Sequence, residues 1–170
     1  MADAGTITSH VSILPDEIVK ELSSEVYSYT PTAATEGWYY KLTNVTTTST
    51  DLIAGSYLQA GTTAAGRDTG SSPNAVHTDD TVKFLFVKNM GVDTNSTTDR
   101  TESVYICFDA GTAAYDLADA IEISTGQSVG LVLNNTTVAN IHAITAQPKG
   151  AGTGTNEIQC IVAAIIKDVA

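Results

Sequence analysis

Short apolar runs with a period of two, separated by turn residues, are the feature that most constrains this fold. The clearest run is Thr81–Asn89, TVKFLFVKN. Such alternation predicts a β-strand, because successive side chains of a strand point to opposite faces of the sheet. Two apolar sets are expected on its two faces: Val82, Phe84 and Phe86 on one, and Leu85 and Val87 on the other. Both faces of this strand should therefore be at least partly buried.

Several later runs have the same character. Residues 103–109 predict a second strong strand, and the polar connection that precedes it predicts a hairpin with the first. Residues 120–124 and 128–133 predict two short strands separated by a turn at residues 125–126. The closing run, residues 157–167 (EIQCIVAAIIK), is apolar on both faces and predicts a central strand.

An aromatic run, WYYKLTNV at residues 38–45, predicts a further strand. Trp38 and Tyr40 are expected on one face and Tyr39 on the other. An exposed set of rings could stack on sugars, but at strand spacing a core strand with one exposed ring is the favoured interpretation.

Counting these runs gives about eight to ten short strands, with turn signals at the spacing of an all-β, antiparallel β-sandwich or jelly roll. A parallel α/β fold is disfavoured because crossover helices are absent from the pattern. Residues 16–24, DEIVKELSS, predict a short peripheral helix with acidic residues in its first turn. We therefore divide the chain into an N-terminal arm and helix, residues 1–24, and a β-sandwich domain, residues 25–170. Residues 61–80 are predicted to form a long exposed loop.

The charge balance limits the choice of partners. The 170 residues include eight Lys and Arg against 19 Asp and Glu, for a formal net charge of -11. Nucleic acid is a poor partner for such a chain, because phosphate binding depends on Lys and Arg. Anionic membrane surfaces are disfavoured for the same reason, and no apolar run approaches the roughly 20 residues that span a bilayer. The N-terminus also lacks the pattern of an export signal. We expect a soluble protein that binds neither nucleic acid nor membrane.

The two cysteines, Cys107 and Cys160, both lie in apolar runs. A disulfide between them would require their strands to be neighbours. The simpler prediction is that both are buried free thiols.

One catalytic pattern is present by spacing alone. Gly126-Gln127-Ser128-Val129-Gly130 matches the G-x-S-x-G nucleophile elbow of hydrolases. The elbow requires a helix after the serine, whereas the following residues predict a strand. In addition, no acidic residue lies between Ser128 and His142 to complete the order of that triad. A β-turn followed by a strand is the favoured interpretation.

Oxygen ligands alternate in the loop from Asp93 to Asp99, with Asn95 and Thr97 between them, as a bound cation requires. The loop lacks the glycine and distal glutamate of an EF-hand, and a polar hairpin tip would have the same composition. The three histidines are scattered and predict no metal site. Two further acidic pairs, Asp79-Asp80 and Asp116 with Asp119, are interpreted as solvated. We thus predict no enzyme activity, no cofactor, and no catalytic or metal-binding residue.

The stretch VYICFDAGTAAYDLADAIEISTGQSVGL and the closing CIVAAIIKDVA resemble small structural proteins of tailed-phage virions, especially capsid decoration or cement proteins. The shared features are a strand that ends in Asp109-Ala-Gly111, the segment 121–123 before a turn at Gly126, and an acidic composition rich in Thr, Gly and Ala. The resemblance covers mainly residues 81–170.

The resemblance implies a non-enzymatic protein of the virion, made in the host cytoplasm and located on the outer capsid surface. It implies binding to the major capsid protein, stabilisation of contacts between shell subunits, and a homo-oligomer, typically a trimer. Residues 1–24 would then contact the capsid or exchange between subunits. Two alternatives stay open: a carbohydrate-binding or adhesive β-sandwich, and a tail or fibre component.

Overall fold

The structure is a computed structural model that describes residues 5–9, 25–29, 36–59, 74–93, 99–108, 120–145 and 157–169. These residues are mostly in β-strands, and the predicted all-β, antiparallel sandwich is confirmed. The predicted helix at residues 16–24 lies outside the described residues.

The described part of the chain contains twelve strands and a 3-10 turn. The strands are β1 (Gly5–Ser9), β2 (Glu25–Tyr29), β3 (Glu36–Val45), β4 (Thr50–Asp51), β5 (Ser56–Gln59), β6 (Asn74–Ala75), β7 (Thr81–Asn89), β8 (Val104–Cys107), β9 (Ile121–Ile123), β10 (Ser128–Thr137), β11 (His142–Thr145) and β12 (Ile158–Lys167). The 3-10 turn, Val138–Asn140, lies between β10 and β11.

The strands form two main sheets, in which the assigned pairings are antiparallel. A six-stranded sheet has the order β10-β7-β12-β3-β5-β6, and a four-stranded sheet has the order β4-β11-β8-β9. β1 and β2 pair with each other in a separate two-stranded sheet. A strand of the predicted N-terminal arm thus pairs with the first strand of the predicted sandwich domain.

The main core lies between the six-stranded and four-stranded sheets. Alternate residues of β12, from Ile158 to Ile166, are buried in it. Val104 and Ile106 of β8 contribute from the opposite sheet. β12 lies between β7 and β3, so the predicted central position of the closing strand is confirmed. Its apolar residues on both faces match this position, because one face meets the core and the other continues the apolar surface of neighbouring strands.

The predicted alternation in β7 is wrong at one residue. Val82 is buried in the main core together with Leu85 and Val87, rather than on the face of Phe84 and Phe86. The reason is a register shift in the pairing with β12, where Phe84 pairs with Ile165 but Val82 pairs with Ile166. The extra residue in such a bulge shifts the alternation by one position. Val82 therefore points into the core, although strict alternation would place it on the opposite face.

The predicted hairpin between β7 and β8 is also wrong. β7 belongs to the six-stranded sheet and β8 to the four-stranded sheet, so their connection crosses from one layer of the sandwich to the other. The turn at residues 125–126 is confirmed, but it too connects the two layers, because β9 and β10 lie in different sheets. Gly126 has a φ of 77°, a left-handed conformation that glycine adopts without steric cost.

Asp80 is fully buried, whereas the sequence predicted a solvated acid. Its carboxylate accepts hydrogen bonds from the backbone N–H groups of His77, at 2.9 Å, and Val169, at 3.4 Å. Its backbone oxygen accepts from the N–H of Val138 at 2.8 Å. The side chain thus connects a turn to the C-terminal end of β12, while Asp79 is exposed as predicted.

Candidate interaction surface

The six-stranded sheet has a second apolar face, which points away from the core and which we name the outer face. It consists of alternate residues from four adjacent strands: Trp38, Tyr40 and Leu42 of β3, Ile161, Ala163 and Ile165 of β12, Phe84 and Phe86 of β7, and Val132 of β10. Strand alternation selects these residues, because their sequence neighbours on the other face fill the core.

The strand register arranges these residues in cross-strand rows. One row contains Val132, Phe84, Ile165 and Trp38. The next contains Gly130, Phe86, Ala163 and Tyr40, and a third contains Ser128, Lys88, Ile161 and Leu42. Directly opposed residues in such rows have Cβ atoms about 4.5–5.5 Å apart, so the apolar side chains are contiguous across the sheet.

Exposure varies across the outer face. Phe84 and Ile165 are buried, whereas Tyr40 is 70% exposed, Val132 54% and Leu42 48%. An isolated exposed apolar residue is ordinary, but a contiguous set on one sheet face is a mark of a binding surface. The sequence prediction for the aromatic run is confirmed, since Tyr39 is buried in the core and Tyr40 presents its ring on the opposite face.

The opposite side of the sandwich combines polar groups with a small apolar cluster of Cys107 and Ile144, against which Tyr105 packs. Tyr105 on β8 pairs with Glu122 on β9, and both lie on the face of the four-stranded sheet that points away from the main core. One oxygen of Glu122 accepts hydrogen bonds from the Ser103 hydroxyl, at 2.6 Å, and from the Tyr105 hydroxyl, at 3.3 Å. Desolvation, followed by the negative charge of Glu122, raises the pKa of Tyr105. Tyr105 therefore stays protonated and serves as a hydrogen-bond donor.

Sequence reasoning did not find this cluster. Ser103 and Glu122 are 19 residues apart, and only the pairing of β8 with β9 brings them together. No local pattern in either segment signals the contact.

His142 lies on β11 and contacts an acid from β4. Its Nδ1 is 3.0 Å from Oδ1 of Asp51, while its Nε2 is buried without a hydrogen-bond partner among the described atoms. On the side of β11 away from β4, His142 is paired in register with Cys107 of β8. No group of three or more His, Cys, Asp or Glu side chains within the described residues is arranged to hold a metal ion.

Ser128 and His142 are not brought together. Ser128 is the exposed first residue of β10 in the six-stranded sheet, and a strand, not a helix, follows it. His142 belongs to the four-stranded sheet, and both side chains point away from the core between the sheets. Ser128 thus follows a turn and begins a strand, which is the interpretation favoured by the sequence.

The candidate cation loop is only partly described. Val92 and Asp99 form an isolated bridge, and the N–H of Arg100 donates to the oxygen of Gly91 at 2.8 Å, so the two ends of the loop are adjacent. Asn95 and Thr97 lie outside the described residues. The interpretation of residues 93–99 as a polar hairpin tip, and not a cation site, therefore stays a prediction.

Both cysteines are buried and free, which confirms the prediction. They belong to different sheets, Cys107 to β8 and Cys160 to β12. Burial raises the pKa of the Cys160 thiol to about 12. This thiol is therefore protonated at neutral pH and is a packing residue of the core.

Comparisons with known proteins give no relatives. No family model, no curated protein and no solved structure matches this chain. Across the described ranges, no helix is long and apolar enough to cross a membrane.

Proposed function

We propose that this protein is a non-enzymatic structural component of a tailed-phage virion that decorates the capsid and stabilises contacts between shell subunits. The observation that carries the proposal is the outer face, where Tyr40, Leu42 and Val132 are exposed beside buried apolar neighbours. Phe84 and Ile165 of this face are already buried, so its exposed part, at Tyr40, Leu42 and Val132, is the surface that a partner would cover.

The chemistry of the outer face suits a protein partner. Aromatic residues dominate binding energy at protein interfaces, and two strands of the sheet contribute three of them: β3 provides Trp38 and Tyr40, and β7 provides Phe86. The only charged side chain in the three rows is Lys88, so docking desolvates few charges. We propose the major capsid protein as this partner, on the outer surface of particles assembled in the host cytoplasm.

The overall charge is compatible with this location. A net charge of -11 repels nucleic acid, which favours a protein outside the shell over one in contact with the packaged genome. The resemblance of residues 81–170 to decoration proteins is the reason for proposing a virion protein. The outer face is the surface by which we propose that it attaches.

Binding to capsids tests the proposal. Purified protein is added to particles that lack it, and bound copies are counted by quantitative mass spectrometry and located by immunogold labelling. We expect many copies spread over the head. Few copies at one vertex would instead indicate a tail or fibre component, and failure to bind any part of the particle would overturn the proposal.

A matched pair of variants tests the surface. Tyr40→Ser removes the most exposed aromatic ring of the outer face and should weaken capsid binding at least about tenfold, as expected for an aromatic anchor. Val169→Ser changes an apolar residue of similar exposure to Leu42 that follows the end of β12, and should bind normally. Equal binding by both variants would remove the outer face from the interface.

A carbohydrate-binding function is the second candidate, because one observation favours it. Trp38, which is half-buried, and Tyr40, which is exposed, lie on the same face of β3, about 7 Å apart along the strand, and aromatic rings so placed can stack on sugar rings. A glycan array checks this: binding that disappears in Trp38→Ala would favour the carbohydrate-binding function over the capsid role.

A further inference from the structure

The four edges of the two main sheets are unequal in length. β6, β4 and β9 have two, two and three residues, whereas β10 has ten. Proteins commonly keep edge strands short, because unpaired N–H and C=O groups on a long edge can pair with another chain. β10 is the exception in this sandwich.

β10 also lacks charged residues and proline, the residue types that usually protect an edge strand. Its sequence, SVGLVLNNTT, contains no charged residue and no proline, in a chain with a net charge of -11. A register shift between Val132 and Thr136 disrupts its second half. The first half, residues 128–132, pairs regularly with β7 and is the unprotected part.

The hydrogen-bonding direction of this half follows from its neighbours. The N–H of Asn89 donates to the oxygen of Gln127 at 3.0 Å. Asn89 and Gln127 are therefore a hydrogen-bonded pair of the antiparallel β7–β10 ladder. In an antiparallel ladder, hydrogen-bonded pairs alternate with pairs whose N–H and C=O groups point outward. Ser128, Gly130 and Val132 therefore direct their backbone groups away from β7.

The exposure of β10 agrees with this direction. Ser128, Gly130 and Val132 are all exposed. Since Gly130 has no side chain, its exposure is that of the backbone itself. Within the described part of the chain, β7 is the strand that pairs with β10.

We propose that residues 128–132 pair antiparallel with the same residues of a second copy of this chain, across a two-fold axis. A two-fold axis brings identical edges together in opposite directions, which matches an antiparallel ladder. Each copy offers donors and acceptors at the same three positions, so the edge is self-complementary. Because β10 is uncharged, two strongly acidic molecules can meet there without opposing like charges directly.

The pairing forms one sheet of twelve strands from the two six-stranded sheets and joins the two outer faces along β10. It specifies the homo-oligomer as a dimer, instead of the trimer that the resemblance implies. The dimer requires no capsid, so it can fail or succeed independently of the proposed virion function.

The oligomeric state of the purified protein, without capsids, is the first test. Sedimentation equilibrium should show a dimer, and Val132→Lys should raise its dissociation constant at least about tenfold by placing a charge on each paired edge. Val169→Lys is the matched control, since Val169 has similar exposure outside β10, and it should leave the dimer unchanged. An oligomer of the same size and strength in both variants overturns the proposal.

Amide hydrogen exchange of the unmodified protein is the second test and needs no variant. The Gly130 and Val132 amides should exchange slowly where the dimer is populated and rapidly after dilution to monomer. The Val129 and Leu131 amides, which face β7, should remain protected at both concentrations. Slow exchange of Gly130 in a monomer would show that the chain covers its own edge, and would overturn the proposal.

Discussion

The side-chain amide of Asn89 donates a hydrogen bond to the backbone oxygen of Ile123 at 3.1 Å, and so joins the end of β7 in one sheet to β9 in the other. The same amide donates to the oxygen of Glu102 at 3.0 Å, and its Oδ1 accepts from the N–H of Gly91 at 2.9 Å. Asn89 is fully buried, and its backbone N–H and oxygen bond to Gln127 and Gly126. One residue thus organises both connections that cross between the layers at this end.

Asn89→Ala should destabilise the protein by about 2–4 kcal/mol, because it leaves buried backbone groups of Glu102, Ile123 and Gly91 without partners. Urea unfolding followed by fluorescence of the single tryptophan measures the loss. Asn44→Ala, at an exposed position on β3, is the control and should change stability by less than about 0.5 kcal/mol. Similar losses in both variants would contradict the role given to Asn89.

Asp80→Ala should cost about 1–3 kcal/mol, since the N–H groups of His77 and Val169 lose their acceptor. Asp79→Ala, one residue away at an exposed position, should be nearly neutral. Thermal unfolding of the two variants compares them directly. A larger loss for Asp79→Ala would contradict the hydrogen-bond network described for Asp80.

Alkaline pH should destabilise the fold through Cys160. Burial raises the pKa of its thiol from 9.0 to about 12, so the unfolded chain ionises first as the pH rises. Between about pH 9 and 12 the unfolded state therefore binds fewer protons than the native state, and the free energy of unfolding falls. Below pH 9 this contribution to stability is complete.

Cys160→Ala should have a shallower loss of stability over that pH range. The loss should not vanish, because burial also raises the pKa of Tyr39 and Tyr105, which act in the same direction. Urea midpoints measured from neutral to alkaline pH give the slopes for both proteins. Identical slopes would show that Cys160 does not contribute.

Gly91→Ala should be more damaging than Gly126→Ala. Both glycines have positive φ, 67° and 77°, so both substitutions introduce backbone strain of about 1 kcal/mol. A Cβ at Gly91 would also lie 2.5 Å from Cγ2 of Thr125, whereas one at Gly126 meets no atom within 4 Å. The expected cost at Gly91 is about 2–4 kcal/mol.

Thr125→Ser separates the clash from the strain, since serine lacks Cγ2 but keeps the hydroxyl that donates to the oxygen of Arg100 at 3.1 Å. In the Gly91→Ala background it should restore part of the lost stability, measured by urea unfolding as a double-mutant cycle. Strict additivity of the two changes would show that the methyl group is not the cause.

Local patterns identified strands because side-chain direction has a period of two that depends on the backbone alone. The buried and exposed rings of Tyr39 and Tyr40, the central strand β12 and the turn at Gly126 were all predictable on that basis. The free thiols of Cys107 and Cys160 followed from their apolar neighbours.

The sequence by itself thus determined the all-β class, the approximate positions of many strands and the faces of most of their side chains. Only the tertiary structure decided which sheet each strand joins. It places β7 and β8 in different sheets, so they do not form the predicted hairpin. It also moved Val82 into the core through a register shift, and it buried Asp80 beside backbone groups of Val169, 89 residues away. The physical reason is that strand pairing and burial are set by contacts distant in sequence, which leave no periodic signal in the segments that make them.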